Sequence, residues 1–243
     1  MAPVVQVKNV YKSFGQNHVL RNFSMSVHSG ENLVVLGKSG SGKSVLIKCI
    51  INLISADKGH IKVFDKVIHN MEQDELDKLR ARIGFLFQSN ALYDSMTVRE
   101  NLEFPLRAHW SKAQRRKGAD QAVMEALDDV GLAHTVDMMP EELSGGMRKR
   151  IALARTLILR PTIILYDEPT TGLDPATARE ISQLIIKVQK KYNATSIIIS
   201  HDMNCINMTA NRVIMLIDGR CYANDSYSNL RMSRDPKIRE FFD

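Results

Sequence analysis

Gly37-Lys38-Ser39-Gly40-Ser41-Gly42-Lys43-Ser44 is the stretch of sequence that decides the fold. It matches the pattern G-x-x-x-x-G-K-[ST], in which glycines let the backbone wrap closely around a phosphate group and turn its N–H groups inward. The apolar run at residues 32–36 predicts a strand buried on both faces just before the loop, and residues 45–53 predict a helix after it. Phosphates would then lie at the positive end of that helix, with Lys43 at the β- and γ-phosphates and Ser44 on Mg²⁺.

A second apolar run, Ile163-Ile164-Leu165-Tyr166-Asp167-Glu168, ends in two acids. Adjacent carboxylates at the end of a buried strand repel each other unless a cation lies nearby. We therefore expect Asp167 on the Mg²⁺ side of the site and Glu168 as the base that deprotonates the attacking water. The alternative is that both acids cap a helix that begins after Pro169. Together with the glycine loop, this run predicts a P-loop NTPase.

The remaining hydrophobic pattern predicts an α/β fold. Val5 and Val7 alternate with polar residues, which indicates an antiparallel β subdomain at the N-terminus. Further apolar runs at residues 83–87, 196–199 and 213–217 predict strands of a mostly parallel core sheet, the last followed by an Asp218-Gly219 hairpin turn. Residues 89–160 contain few strand signals and predict a helical subdomain inserted into a single RecA-like domain of residues 1–243.

Composition excludes several classes of protein. The chain has 243 residues, of which 44% are apolar and 25% charged, as expected of one folded domain. The net charge of +6 is spread along the chain, so we expect no nucleic-acid partner. Three scattered cysteines give no zinc pattern. No apolar run approaches the roughly 20 residues that span a bilayer, and the first residues lack a secretory signal, so we expect a cytoplasmic protein.

Leu143-Ser144-Gly145-Gly146-Met147 resembles the signature motif of ABC proteins, which usually reads LSGGQ. Ser144 is a good N-cap, the two glycines expose the backbone, and a run of helix-forming residues follows. Such a segment forms a second phosphate-binding helix N-terminus; the alternative is an ordinary capped helix. Met147 departs from the usual glutamine, but we expect little loss because the phosphate contacts come from Ser144 and the backbone. The chain thus resembles the ATP-hydrolysing subunits of ABC transporters.

This resemblance implies a head-to-tail homodimer, in which Ser144, Gly145, Gly146 and Met147 of one copy cover the ATP bound by the other. It also implies roles for residues elsewhere in the chain. Gln88 resembles the Q-loop glutamine, which reaches Mg²⁺ and water, and His201 resembles the switch histidine at the γ-phosphate. The remaining expected residues are Gly172, Leu173 and Asp174 in the D-loop; Phe14, with Tyr11 as the competing candidate, stacked on adenine; and Gly37, Lys38, Ser39, Gly40, Ser41, Gly42, Lys43, Ser44 and Val45 around ATP.

Residues 86–101, LFQSNALYDSMTVREN, resemble more narrowly the Mla-type (MlaF-like) ATPases of phospholipid-trafficking transporters. Val45 after the glycine loop, Met147, and the ending DPKIREFF at residues 235–242 favour the same subfamily. The resemblance implies a peripheral protein on the cytoplasmic face of the inner membrane. Its partners would be integral-membrane permease subunits, an accessory subunit and a lipid-binding periplasmic component.

Three other classes remain as alternatives. One is an ABC ATPase of another transporter class, and another is a regulatory ABC module that moves no substrate, such as a cell-division ATPase. The third is an ABC ATPase of DNA repair or translation, but those proteins usually carry paired ABC domains or long coiled-coil insertions.

Residues 88–105 are expected to form the groove that binds the permease, because they join the nucleotide site to the helical subdomain. Four apolar residues stand among polar ones there: Leu92, Tyr93, Met96 and Phe104. Tyr93 and Met96 are the expected contacts. Leu92 and Phe104 either contact the permease or fill the core of the subdomain.

Overall fold

Two β-sheets form the framework of the fold in the computed structural model, which describes residues 2–243. Met1, with which the predicted single domain begins, lies outside the described residues. The strands in chain order are β1 (Val5–Phe14), β2 (Asn17–Val27), β3 (Asn32–Leu36), β4 (Lys58–Val63), β5 (Lys66–Val67), β6 (Ile83–Leu86), β7 (Ile163–Asp167), β8 (Thr195–Ile199), β9 (Arg212–Ile217) and β10 (Arg220–Asp225). One sheet has the order β2-β1-β4-β5 and the other the order β10-β9-β3-β8-β7-β6.

The first sheet is antiparallel, as its alternating sequence predicts. Val5 of β1 pairs with Val27 on one side and with Val63 on the other. All three side chains are buried, because alternate residues of a strand point to the same face. Gly15, with a φ of 58°, makes the turn between β1 and β2.

The second sheet confirms the prediction of a mostly parallel core. β3 pairs in parallel with β8 and β9, and β7 pairs in parallel with β6 and β8. β10 is antiparallel to β9 and follows it through the predicted turn, where Asp218 and Gly219 have φ values of 52° and 74°. Because β3, β8 and β7 are adjacent and parallel, the residues that follow them meet at one edge of the sheet, where ligands bind in such folds.

Each face of the core sheet has its own hydrophobic core. Val34 and Leu36 of β3 pack into a core shared with the helices that precede β7. Leu33 and Val35 point to the opposite face and pack with the antiparallel sheet. All four side chains are at most 1% exposed, so β3 is buried on both faces, as its continuous apolar run predicts.

The described residues also form nine α-helices. They are α1 (Lys43–Ile50), α2 (Gln73–Arg80), α3 (Val98–His109), α4 (Lys112–Asp129), α5 (Gly145–Leu157), α6 (Pro175–Tyr192), α7 (Met203–Thr209), α8 (Tyr227–Arg231) and α9 (Pro236–Arg239). Helices α3, α4 and α5 lie between β6 and β7, a stretch in which the described chain forms no strand. Thr97 and Ser111 begin α3 and α4 with capping boxes.

The bounds of some elements differ from those predicted by the sequence pattern. Helix α1 begins at Lys43 and ends at Ile50, whereas the apolar spacing predicts residues 45–53. It starts earlier because Gly42, with a φ of 102°, turns the chain directly into the helix, and it stops before Asn52, whose φ is 52°. Helix α6 begins at Pro175, well after Pro169, so Asp167 and Glu168 cap no helix there.

Candidate active site

The glycine loop joins β3 to α1, and the space around it requires its glycines. A Cβ atom on Gly37 would lie 2.6 Å from Ser41 Oγ and 2.8 Å from the carbonyl oxygen of Leu216. A Cβ atom on Gly42 would lie 2.5 Å from Val19 Cγ1. Larger residues would force the loop open, so glycine is needed for the backbone to approach a ligand closely. The hydroxyl of Ser41 is buried without a hydrogen-bond partner among residues 2–243, as a group that awaits a ligand would be.

Lys43 directs its amino group back across the loop. Its Nζ donates to the carbonyl oxygens of Gly37, at 2.8 Å, and Lys38, at 3.1 Å. The same Nζ lies 3.7 Å from Glu168 Oε1. The side chain of Lys38 points elsewhere, to Glu240 Oε2 at 2.7 Å. The buried charge of Lys43 is therefore fixed between the loop and the carboxylate of Glu168.

Ser44 and Asp167 bring two oxygen atoms together across the cleft. Ser44 Oγ donates to Asp167 Oδ1 at 2.9 Å. Burial raises the pKa of Asp167, and the hydrogen bond from Ser44 opposes that rise. In the described part of the chain no group of three or more His, Cys, Asp or Glu side chains could hold a metal ion. Mg²⁺ at phosphate sites, however, is usually held by one or two protein oxygens with phosphate and water, and this pair fits that requirement.

Glu168 is held by three side chains. Its Oε2 accepts a hydrogen bond from Thr171 Oγ1 at 3.2 Å and lies 2.9 Å from His201 Nδ1, while Oε1 faces Lys43. The backbone of Glu168 has a φ of 51°, a left-handed conformation that the surroundings must enforce. His201 follows β8, the strand between β3 and β7, which explains how it reaches Glu168. The carboxylate is thus fixed in one orientation, with oxygens available to accept a proton.

A cleft of about 580 Å³ brings most of these groups together, although Asp167, the partner of Ser44, is not part of its lining. It is lined by Phe14, Val19, Ser39, Gly40, Gly42, Lys43, Ser44, Val45, Gln88, Glu168, Thr171 and His201. The sequence predicts ten of these twelve residues as ligands of ATP or catalytic groups. Val19 and Thr171 were not predicted. Thr171 could have been, because its hydroxyl comes three residues after the expected base Glu168. Phe14 lines the cleft and is half exposed, whereas Tyr11 lies outside the lining.

The signature segment lies outside this cleft. Ser144 caps α5 by accepting a hydrogen bond from the backbone N–H of Met147 at 3.2 Å. Gly145 has open space around it, whereas a Cβ atom on Gly146 would lie 2.6 Å from Thr177. Among the described residues, none of 144–147 lines the cleft of the glycine loop. The signature segment therefore begins a helix, as predicted, but within one chain this helix N-terminus does not line the cleft of the glycine loop.

The predicted D-loop residues stand next to the signature segment. Gly172 has a φ of 78°, and Leu173 follows it, half-buried against the core. Asp174 caps α6 by accepting from the N–H groups of Ala176 and Thr177, both at 3.0 Å. These bonds hold the pKa of Asp174 low, and the largest effect is the hydrogen bond from the hydroxyl of Thr177. Thr177 therefore links the D-loop to Gly146.

The expected permease groove is only partly exposed. Tyr93 and Phe104 are 42% and 41% exposed, and their rings lie 4.9 Å apart. Leu92 and Phe104 were each expected either to contact the permease or to fill the core of the subdomain. Leu92 is half-buried and packs against the core, whereas Phe104 is exposed. Met96 is half-buried.

A buried lysine from α5 contacts the first residue of this expected groove. Lys149 Nζ donates to the backbone carbonyl oxygen of Gln88 at 3.0 Å. Burial lowers the pKa of Lys149 to about 8, although the charges of Asp167 and Glu168 act in the opposite direction. The sequence pattern singled out neither this lysine nor its contact.

A family model described as ABC transporter matches residues 20–171, well over half of the chain. The chain belongs to the ABC transporter family. Methionine import ATP-binding protein MetN of Clostridium tetani is 40% identical over 217 residues, which cover 89% of this ABC subunit and 67% of MetN. The probable ribonucleotide transport ATP-binding protein mkl of Mycobacterium leprae is 37% identical over 241 residues, or 99% of this chain and 69% of mkl.

Solved ABC structures have the same architecture. The dimeric post-hydrolysis structure of the ATP-binding cassette MJ0796 bound to ADP and Pi is 32% identical, with a TM-score of 0.83 over 92% of this chain and 98% of that one. CbiO1 from Clostridium perfringens, part of the ABC transporter complex cbiONQ, is 26% identical, with a TM-score of 0.87 over 100% and 99% of the two chains. The predicted ABC-type P-loop nucleotide-binding domain is confirmed.

This ABC protein is therefore an ATPase whose hydrolysis of ATP powers transport, as the sequence predicts. The narrower resemblance to phospholipid-trafficking ATPases gains no support, because the relatives are named for methionine, ribonucleotide and amino-acid transport. Among residues 2–243, no helix is both long and apolar enough to cross a membrane.

Proposed function

We propose that this subunit hydrolyses ATP as a head-to-tail homodimer and drives a membrane permease. The observation that carries the proposal is the separation of the two helix N-termini: the glycine loop lines the cleft, whereas residues 144–147 are not part of its lining. A second copy related by two-fold symmetry would bring its signature segment to the open side of the cleft, and the same contact would form twice. The dimeric state of the neighbour MJ0796 supports this arrangement.

Residues 37–45 would hold the phosphates of ATP. The N–H groups at the start of α1 and the charge of Lys43 favour the negative phosphates. Ser44, Asp167 and Gln88 would hold Mg²⁺, which when bound neutralises charge on the phosphates. The hydrogen bond of Ser44 to Asp167 and the place of Gln88 in the cleft lining support this set.

Glu168 would accept the proton of the attacking water. Thr171 and His201 hold Oε2 of that carboxylate, which leaves Oε1 facing Lys43. When Lys43 turns to a phosphate, Oε1 becomes free to accept the proton. His201 is mostly exposed, so it can also reach the γ-phosphate, and Phe14 is exposed at the cleft edge, where a ring can stack on adenine.

We further propose that residues 1–243 act as one domain and that residues 89–160 form a helical subdomain within it. Tyr93 and Phe104 on this subdomain would contact the permease, since the two exposed rings form an apolar patch that one partner helix can cover. The chain would then lie on the cytoplasmic face of the inner membrane, bound through the permease. A permease partner is supported by the similar structure of cbiO1, which is part of the ABC transporter complex cbiONQ.

Three alternatives differ in what the transporter moves. The names of MetN, of mkl and of the amino-acid transport relative favour a transporter of small metabolites such as methionine, ribonucleotides or amino acids. The phospholipid alternative, with an accessory subunit and a lipid-binding periplasmic component, rests only on subfamily resemblance: that of residues 86–101, supported by Val45, Met147 and the ending at residues 235–242. A substrate-free regulatory module is a third alternative.

Two experiments test the proposal. Size-exclusion chromatography of the Glu168→Gln subunit should give a monomer without nucleotide and a dimer with ATP, and a monomer under both conditions would contradict the head-to-tail arrangement. Mass spectrometry of the complex purified from its native membrane should then identify the permease. Co-purified phospholipid with a lipid-binding subunit would favour lipid trafficking, whereas a metabolite-binding subunit would favour metabolite import.

A further inference from the structure

Lys149 is a buried cation with no part in the mechanism above. Its side chain is 2% exposed, and its amino group has two hydrogen-bond acceptors among residues 2–243: the carbonyl oxygens of Gln88 at 3.0 Å and Phe87 at 3.5 Å. Burying an ammonium group is costly unless hydrogen bonds and opposite charge compensate it. Asp167 and Glu168 supply the opposite charge. The hydrogen bonds go to the loop that carries Gln88.

Arg155, on the same helix, contacts the other end of that loop. Its Nη2 donates to the carbonyl oxygen of Asn90 at 2.9 Å, and its Nη1 donates to that of Ala91 at 2.7 Å. Asn90 and Ala91 have φ values of 63° and 52°. Two consecutive left-handed residues other than glycine are unfavourable unless their surroundings hold them. The guanidinium fork supplies that restraint.

The two cations fix residues 87–91 to α5. They bind four of the five carbonyl groups in this loop, whereas the backbone of the loop supplies one internal hydrogen bond, from Asn90 N–H to the carbonyl of Phe87. The side chain of Gln88 lines the nucleotide cleft. The position of Gln88 is therefore determined by the helix that begins at the signature segment.

We propose that Lys149 and Arg155 are positioning residues that make Gln88 follow the movement of α5. The proposal rests on the proposed function, in which α5 presents the signature segment to the ATP of the second copy and Gln88 serves the ATP of its own copy. A rigid connection between α5 and the Gln88 loop then couples the two ATP sites of the dimer, because a shift of α5 at one site moves Gln88 at the other.

Replacement of Lys149 tests the inference. Lys149→Met keeps an unbranched side chain of similar size but removes both hydrogen bonds. We expect kcat for ATP to fall about 10- to 100-fold, the range that small misplacements of catalytic groups produce, while the Kd for ATP changes less than about twofold. Lys149→Gln retains an N–H donor and should recover most of kcat. The control is Lys187→Met, which removes a contact of 3.4 Å to the backbone carbonyl of Asp129 and should leave kcat unchanged.

Amide hydrogen exchange provides a second measurement that does not depend on activity. The amides of residues 88–91 should exchange faster in Lys149→Met than in Lys149→Gln or the unchanged protein, while the cores of β3 and β7 stay equally protected. Wild-type kcat and wild-type exchange in Lys149→Met would overturn the inference. If Lys149→Met fails to fold, Arg155→Lys, which keeps the charge but loses the fork, must show the same faster exchange. If the unchanged protein hydrolyses no ATP, the proposed function fails, and the exchange measurement still decides whether the cations hold the loop.

Discussion

The glycine loop and the signature segment both lead into a helix N-terminus, but the surroundings of the two helix N-termini differ. No side chain within residues 2–243 caps α1, whereas Ser144 caps α5. Lys43 and Ser44 of the loop contact Glu168 and Asp167 in the same chain. Among the described residues, those at 144–147 are not part of the cleft lining. The glycine loop and the side chains it contacts therefore form a half-site within one chain, and the signature segment of the same chain adds no lining residue to it.

The largest effects are expected at this half-site within one chain. Lys43→Ala removes the buried charge between the loop and Glu168, and backbone donors alone cannot replace it. We expect kcat/KM for ATP to fall about 10²- to 10³-fold. Fluorescence titration with a nucleotide analogue, together with a phosphate-release assay, measures the change. Lys66→Ala removes an exposed lysine that pairs with Glu75 and serves as the control. Unchanged affinity and turnover in Lys43→Ala would show that the loop is not the ATP site.

Glu168→Gln should separate binding from hydrolysis in the same half-site. Glutamine keeps the shape of the side chain and can still contact Thr171 and His201, but it cannot accept the proton. We expect kcat to fall about 10²- to 10⁴-fold with ATP binding retained. Glu240→Gln changes an exposed carboxylate that pairs with Lys38 and should behave as the unchanged protein. A Glu168→Gln protein that turns over normally would place the base elsewhere.

Ser144→Ala distinguishes the two roles of the signature segment. It removes the N-cap of α5, so the free energy of unfolding should fall by about 1 kcal/mol. Ser111→Ala removes the equivalent cap of α4, which is not part of the cleft lining, and should lower the free energy of unfolding by about the same amount. ATP-driven dimerisation and ATPase activity should fall only in Ser144→Ala. Equal activity in the two variants, by phosphate release and size exclusion, would make the segment an ordinary capped helix.

The smallest effect on the isolated subunit is expected at the aromatic pair of the helical subdomain. Tyr93→Ala with Phe104→Ala leaves every cleft residue in place, so basal ATPase activity and ATP affinity should stay within about twofold. Permease retention in the purified complex should fall sharply. Met232→Ala, which removes another exposed apolar side chain, is the control. Full retention of the doubly changed subunit would mean that the permease binds elsewhere.

Local sequence pattern was enough to predict much of the fold and most of the residues that line the cleft of the glycine loop. The glycine loop, the strand before it and the two acids at the C-terminal end of β7 are each specified by neighbouring residues, whose spacing determines burial and backbone conformation. Helix bounds were less exact, because Gly42 and Asn52 determine the ends of α1 through positive φ values that apolar spacing does not reveal.

The sequence by itself determined the candidate residues for phosphate binding, Mg²⁺ coordination and proton transfer. Only the tertiary structure decided which of them meet: His201 and Thr171 on Glu168, Phe14 rather than Tyr11 at the cleft, and Phe104 beside Tyr93 at the surface. It alone revealed that Lys149 reaches Gln88, 61 residues away in the chain. A short motif is specified by residues that are neighbours along the chain. A contact between distant residues depends instead on how whole helices and strands pack, which no short stretch of sequence encodes.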